Sequence, residues 1–144
     1  MKFFINVFVL LFCLSLFSQN WETSYDNSVK RAKEENKKLL VVFQGSDWCG
    51  PCIKLSKEIW STEFFVDYSD KSYVMLQVDF PRRKKNSLSE SQREQNAFLA
   101  EKFNPRGYFP FVVVLNSSGK LIGEIGYENT TPQKFIEIIE SFEN

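Results

Sequence analysis

Leu39-Leu40-Val41-Val42-Phe43-Gln44-Gly45-Ser46-Asp47-Trp48-Cys49-Gly50-Pro51-Cys52 is the stretch on which the reading of this chain turns. Its first five residues are a short continuous apolar run rich in branched side chains, the pattern of a strand buried on both faces. Gln44 to Gly50 is turn material, and Pro51 suits the first turn of a helix, where its missing N–H is not needed. A cysteine at such a strand-to-helix junction sits where unpaired backbone N–H groups and the helix dipole favour negative charge. Those features raise the thiolate fraction of Cys49 near neutral pH. Cys52, three residues on, lies about one turn deeper on the same side. It is placed to attack a mixed disulfide formed at Cys49 and release the partner. Gly50 lets the chain approach closely, and Pro51 stiffens the loop.

The rest of the chain supplies a frame for this junction. Trp21, Tyr25, Val29 and Ala32 recur at intervals of four and three, which predicts one helix from Trp21 to Lys38. The helix opened by Pro51 is expected to run through Leu55, Ile59 and Trp60 toward Phe65. Tyr73 to Phe80 reads as a second strand. Ser91-Gln92-Arg93-Glu94 is a capping-box pattern ahead of a helix carrying Ala97, Phe98, Leu99, Ala100 and Phe103. Phe109 to Leu115 is a third strand, joined through Asn116-Ser117-Ser118-Gly119 to a fourth from Leu121 to Ile125. Thr131 and Pro132 then start a last helix with Phe135, Ile138, Ile139 and Phe142 at helical spacing. The order αβαβαββα predicts a three-layer α/β sandwich, a central mixed sheet with helices on both faces. Phe64, Phe65, Phe98, Phe103, Phe135 and Phe142 are expected in its core.

Composition narrows the chemistry. The 144 residues suit one domain, and 18 basic against 18 acidic residues give zero net charge. That balance argues against nucleic-acid binding, which usually shows a basic excess. No histidine occurs, which excludes Ser-His-Asp and Cys-His hydrolases, His-ligated metal sites and any histidine general base. Lys2 followed by an apolar run from Phe3 to Phe17 reads as a secretory signal peptide over residues 1–18, leaving a domain over 19–144. The run falls short of the roughly 20 residues that span a bilayer, so stable membrane insertion after cleavage is not expected. Phe12 before Cys13 weakens a lipoprotein reading.

With Cys13 in the leader, only Cys49 and Cys52 remain to the mature chain. A disulfide between them closes a loop of four residues, and chain entropy assigns it roughly 2 kcal/mol, against nearly 5 for a loop of about 100 residues. As a structural staple it is weak, and as a redox pair it is apt. Two sulfurs and no histidine also leave a zinc site half empty, so no metal and no organic cofactor is expected.

At Trp48-Cys49-Gly50-Pro51-Cys52 the chain resembles the thioredoxin superfamily, whose active-site motif has the same five residues. The preceding strand, the strand ending at Asp79, Pro110 before a strand and Gly126 before the last helix extend the resemblance over most of the mature chain. Phe43 to Cys49, taken with Val78-Asp79-Phe80-Pro81-Arg82-Arg83-Lys84-Lys85, looks like exported bacterial members. The resemblance implies a nucleophilic Cys49, a resolving Cys52 and a cis proline at Pro110, with Trp48, Gly50, Pro51, Phe109 and Pro110 meeting substrate. Its implied fold is thioredoxin-like, and its implied activity is thiol:disulfide exchange with disulfide-bearing client proteins and a protein that supplies or accepts electrons.

Two departures stand out. Counting six residues before Cys49, where thioredoxins usually place a buried Asp, reaches Phe43, and the lysine often found on the next strand aligns with Met75. Water, Glu58, Asp47 or Lys57 is left to take the Cys52 proton. Tyr108, Phe109 and Phe111 around Pro110 give a bulky apolar rim. Asp47 either caps the turn into the helix or raises the pKa of Cys49 as a nearby negative charge. Arg82 to Lys85 is a solvated loop or a docking patch for an acidic partner. The functional expectation is an exported, monomeric thiol:disulfide oxidoreductase of the periplasm or cell envelope, with secretion as second choice, acting as a reductase. The alternatives are an oxidase or isomerase, or a binding module whose aromatic rim recruits a partner chain while the dithiol is idle; Trp48 on its own could also be plain core.

Overall fold

A computed structural model describes residues 18–143. Five strands form one sheet, β1 (Trp21–Glu22), β2 (Lys38–Gln44), β3 (Tyr73–Asp79), β4 (Phe111–Leu115) and β5 (Leu121–Ile125). They lie in the order β1-β3-β2-β4-β5, parallel from β1 through β3 to β2 and antiparallel from β2 through β4 to β5. The apolar run that opened the analysis is therefore the central strand, with Phe43 opposite Val78 on one side and Phe111 on the other.

Strand alternation divides β2 between two cores. Leu40 and Val42 join Leu55, Ile59, Trp60, Phe65, Phe135 and Ile139 on one face. That face is covered by α2 (Gly50–Leu55), the π-helical turn Ser56–Trp60, α3 (Glu63–Ser72) and α5 (Pro132–Ser141). Leu39, Val41 and Phe43 join Ala32 and Leu99 on the other face, under α1 (Tyr25–Glu35) and α4 (Glu90–Phe103). Trp60 centres the first core, edge-on to Phe65 and Phe135 at 5.0 Å each and to Trp21 at 6.1 Å. The expected three-layer sandwich is present.

Several boundaries differ from those read in the sequence. Trp21 belongs to a two-residue strand rather than to the first helix, because Ser24 caps α1 by accepting from Asn27 N–H at 3.3 Å. The helix after Pro51 does not reach Phe65 unbroken. Thr62 donates its hydroxyl to the Ile59 carbonyl at 2.7 Å and accepts from Phe65 N–H at 3.3 Å, closing one helix and starting the next. Ser89, not Ser91, caps α4, accepting from Gln92 N–H at 3.2 Å; Ser89-Glu90-Ser91-Gln92 is itself a capping-box pattern, two residues earlier. Phe64 and Phe98 are exposed rather than core, since their neighbours Phe65 and Leu99 take the inward positions. Phe103 and Phe142 are half-buried. The predicted leader lies outside the described residues, except for Ser18. Among the described residues no helix is long and apolar enough to cross a membrane.

Candidate active site

The site lies where β2 ends and α2 begins. A tight turn carries the chain across, with Trp48 N–H and Cys49 N–H both donating to the Gly45 carbonyl, at 3.3 and 2.9 Å. Gly45 is glycine because the Trp48 indole lies against its α-carbon; a Cβ there would overlap the ring. Cys49 is the N-cap of α2, its Sγ accepting from Cys52 N–H at 3.2 Å, and Pro51 stands in the first turn. Cys49 and Cys52 are joined as a disulfide with their Cα atoms 5.2 Å apart. They are 4% and 3% exposed, so only a narrow face of the pair meets solvent. Gly50 is exposed and a Cβ on it would meet nothing, so this glycine leaves open space beside the pair rather than permitting a close approach within the chain.

An aromatic wall stands over the turn. The Trp48 indole N–H donates to the Phe80 carbonyl at 2.7 Å, and the ring meets Phe109 edge-on at 5.6 Å. Phe109 in turn meets Phe80 at 5.6 Å, and the Phe109–Pro110 peptide bond is cis. Trp48 and Phe109 are half-buried and Tyr108 is exposed, but Phe111 is buried against Phe43 and belongs to the core rather than the rim. The strand begins at Phe111, not Phe109, as suits a proline with no N–H to give the ladder.

Below Cys52 opens a cavity of about 400 Å³ lined by Gln44, Ser46, Cys52, Ser56, Lys57 and Ser61. Gln44 is 9% exposed, and its amide makes no hydrogen bond to any described residue. Among the described residues every fully buried side-chain nitrogen or oxygen has a partner, so the unpaired Gln44 amide is not fully buried and opens on this cavity. Phe43, reached by counting back from Cys49, is fully buried in the core under α1 and α4. The residue beside Cys52 is its neighbour, and alternation along β2 was the signal that identifies it. Of the side chains left to take the Cys52 proton, Lys57 lines the cavity; Glu58 is exposed and does not line it.

Asp47 is committed elsewhere. It caps neither the turn nor the helix, but accepts from Arg82 N–H at 2.9 Å, Arg83 N–H at 3.0 Å and the Asn86 amide at 2.9 Å. Chiefly through the Arg82 N–H, these bonds hold its carboxyl at about 2, well below the usual 3.8. Asp79 plays a matching part from the end of β3, accepting from Ser46 N–H at 2.8 Å and from the Ser46 hydroxyl. The Arg82 guanidinium carbon then lies 3.8 Å from the Trp48 ring centre. Sequence reading missed Gln44, Gly45, Ser46 and Asp79 as parts of the site, and Arg82 as a neighbour of Trp48.

Residues 20–117 match the thioredoxin-like family model. The chain is similar to the disulfide bond reductase DsbH of Chlamydia pneumoniae, 31% identical over 121 residues that cover 84% of this chain and 70% of that protein. It is also similar to the thioredoxin-related protein DsbJ of the same organism, 31% identical over 106 residues, 74% of this chain but 30% of DsbJ. A solved structure of a DsbH oxidoreductase superposes with a TM-score of 0.78 at 29% identity, covering 86% of this chain and 83% of that one. With the cysteine pair at the start of α2 and the mixed sheet behind it, these matches place the chain in the thioredoxin-like family, as a thiol:disulfide oxidoreductase.

Proposed function

We propose that the protein is an exported disulfide reductase that acts on client proteins through Cys49 and Cys52. The observation that carries this reading is the cysteine pair itself, set at the N-terminal end of α2 with open space at Gly50 and an aromatic wall at Trp48 and Phe109. In the reduced protein the Cys52 N–H and the helix start favour the Cys49 thiolate. That thiolate attacks one sulfur of a client disulfide, forming a mixed disulfide and releasing the other client sulfur as a thiolate. Cys52 then loses its proton and attacks Cys49. The Cys49–Cys52 disulfide forms, and the client leaves as a dithiol carrying two electrons. A dithiol protein restores the reduced pair. The pair carries the electrons, so the reading assigns no metal and no organic cofactor.

Trp48, Gly50, Pro51, Phe109 and Pro110 are assigned to the client's approach, Gly50 by its bare surface and Pro110 by its lack of an N–H. The Cys52 proton is assigned to solvent in the cavity shared with Gln44 and Lys57, since Gln44 has no titratable group. Gly50-Pro51 between the cysteines, and a relative named as a reductase, favour reduction over oxidation or isomerisation. The apolar leader favours export to the periplasm or cell envelope, with the mature chain a monomer.

Reduction of insulin by the native protein and by Cys49→Ser tests this reading. Loss of activity in the variant is expected; equal rates would leave a binding module with an idle dithiol. The reduction potential then fixes direction. A value near −270 mV fits a reductase, whereas one near −120 mV would recast the protein as a disulfide donor.

A further inference from the structure

We infer that the loop Arg82–Lys85 is a docking shelf that selects client segments whose disulfide lies beside acidic residues. This inference rests on the reading of Cys49 and Cys52 as the reacting pair.

Four cations in sequence are commonly a solvated run without function, but here the structure fixes their place. Asp47 is two residues before Cys49, and it holds the loop by the backbone N–H groups of Arg82 and Arg83 and by the Asn86 amide. Arg82 lies over Trp48, whose indole is bonded to the Phe80 carbonyl. The loop is thus tied at several points to the residues beside the disulfide.

Its charge is only partly offset: Arg82 lies over the Trp48 ring and Arg83 supports the ionised Asp47 carboxylate, which leaves Lys84 and Lys85 the freest of the four. Among the described residues the ion pairs engage Lys30, Arg31, Lys37 and Lys38, and none engages Arg82, Arg83, Lys84, Lys85 or Arg93. The carboxylates of Asp47 and Asp79 accept backbone N–H groups, and Glu90 and Glu94 on the following helix form no ion pair with the loop. In a chain of zero net charge, this is a local positive field next to the reacting sulfurs. At physiological salt such a field reaches about 8 Å, and with Arg82 3.8 Å from the Trp48 ring centre it acts on a client segment that passes over Trp48.

A groove of about 320 Å³ runs beside the loop, walled by Phe80, Pro81, Leu88 and Ala97, with Arg93 on its side. Its other polar lining is Asp79, whose carboxylate is held by Ser46, together with Ser87 and Asn96. Apolar walls with a cationic border suit an extended segment that carries an apolar side chain and carboxylates near its disulfide. The neutral whole chain and the position beside a thiol-exchange site favour a protein segment over a nucleic acid or a lipid surface.

Steering of this kind acts on encounter, so it changes kcat/KM and its salt dependence. The test is single-turnover reduction by the pre-reduced protein of two peptides with the same intramolecular disulfide, one flanked by Glu and one by Lys. At low salt the native protein is expected to reduce the acidic peptide roughly tenfold faster, within the range of electrostatic steering. The variant R83E/K84E/K85E is expected to reverse that order, and about 1 M salt to erase it in both proteins. The bonds of the Asp47 clamp come from backbone N–H groups and the Asn86 amide, but the Arg83 charge also supports the Asp47 carboxylate. The variant K84E/K85E, which keeps Arg83, is therefore run beside the triple variant and is expected to move the peptide preference in the same direction.

Bis(2-hydroxyethyl) disulfide, a neutral substrate, separates the possible failures. Equal rates on the two peptides, with normal turnover of the neutral disulfide, would overturn the docking inference and leave the reductase reading standing. No turnover of the neutral disulfide, with Cys49→Ser indistinguishable from native, would remove the reading on which the inference rests. Charge-dependent binding of phosphatidylglycerol vesicles with no peptide preference would also overturn it, in favour of a membrane surface.

Discussion

Gln44 and Cys52 line the same cavity, while Phe43, one residue earlier on the same strand, is buried in the opposite core. That relationship separates two substitutions that look equivalent in the sequence. Phe43→Asp removes a fully buried ring and places a carboxylate among Val41, Leu99 and Phe111. It is expected to cost at least the ~3–5 kcal/mol of a Phe truncation, with further cost from the buried charge. Gln44→Glu instead sets a carboxyl in the solvated cavity next to Cys52. Its pH–rate profile is expected to gain a second ionisation while the melting temperature stays near native. A profile that follows the native curve would show that Gln44 has no contact with the proton of Cys52.

The order of events at the two cysteines gives a second prediction. In the proposed mechanism Cys52→Ser keeps the attacking thiol and lacks the resolving one, so a mixed disulfide with client at Cys49 is expected to accumulate. Non-reducing gels and peptide mass spectrometry detect it. Trapping through Cys52 in a Cys49→Ser protein, and none through Cys49, would reverse the assigned roles.

Asp47 carries a pH dependence whose sign follows from its depressed pKa. Its carboxyl sits at about 2 against 3.8, so the clamp is fully formed above 3.8 and is lost as pH falls through 2. The backbone amides of Arg82 and Arg83 are expected to shift in the NMR spectrum with a midpoint near 2, and to be released at all pH values in Asp47→Ala. A midpoint near 3.8 would mean that the bonds to Arg82, Arg83 and Asn86 do not persist in solution.

Gly45→Ala is expected to destabilise the protein by roughly 1–3 kcal/mol, the usual cost of overpacking, because the new methyl overlaps the Trp48 ring. Displacement of the indole also disturbs its contact with Phe109, so insulin reduction is expected to fall alongside the thermal midpoint. Gly50→Ala meets open space and is expected to leave stability within about 0.5 kcal/mol, the range for surface substitutions. Equal thermal shifts for the two variants would contradict the placement of the indole over Gly45.

Much of this architecture was legible because it is written locally. Leu39 to Phe43 is short, continuous and rich in branched side chains, as a buried strand is, and Pro51 after the turn suits the start of a helix. What escaped were features set by tertiary contact. Two residues of strand at Trp21–Glu22 have no periodicity of their own and exist because β3 offers an edge. The break at Ser61–Thr62 hides inside an apolar pattern that continues from Leu55 to Phe65, and only the Thr62 hydroxyl marks it. Asp47 and Arg82 are 35 residues apart, so nothing in either neighbourhood announces their bond. Phe98 was placed in the core by spacing alone, yet adjacent Leu99 occupies the inward position on α4.

The three tryptophans are divided by the fold into two optical populations. Trp21 and Trp60 meet within the core under α3 and α5, whereas Trp48 stands apart beside the disulfide. A disulfide quenches a neighbouring indole by accepting its excited electron, and a dithiol does so less. Opening the Cys49–Cys52 bond is therefore expected to brighten Trp48 emission while buried Trp60 and half-buried Trp21 stay unchanged until the chain unfolds. One intrinsic fluorescence spectrum can then follow oxidation state and folding together, without a label, and Trp48→Phe would isolate the folding signal.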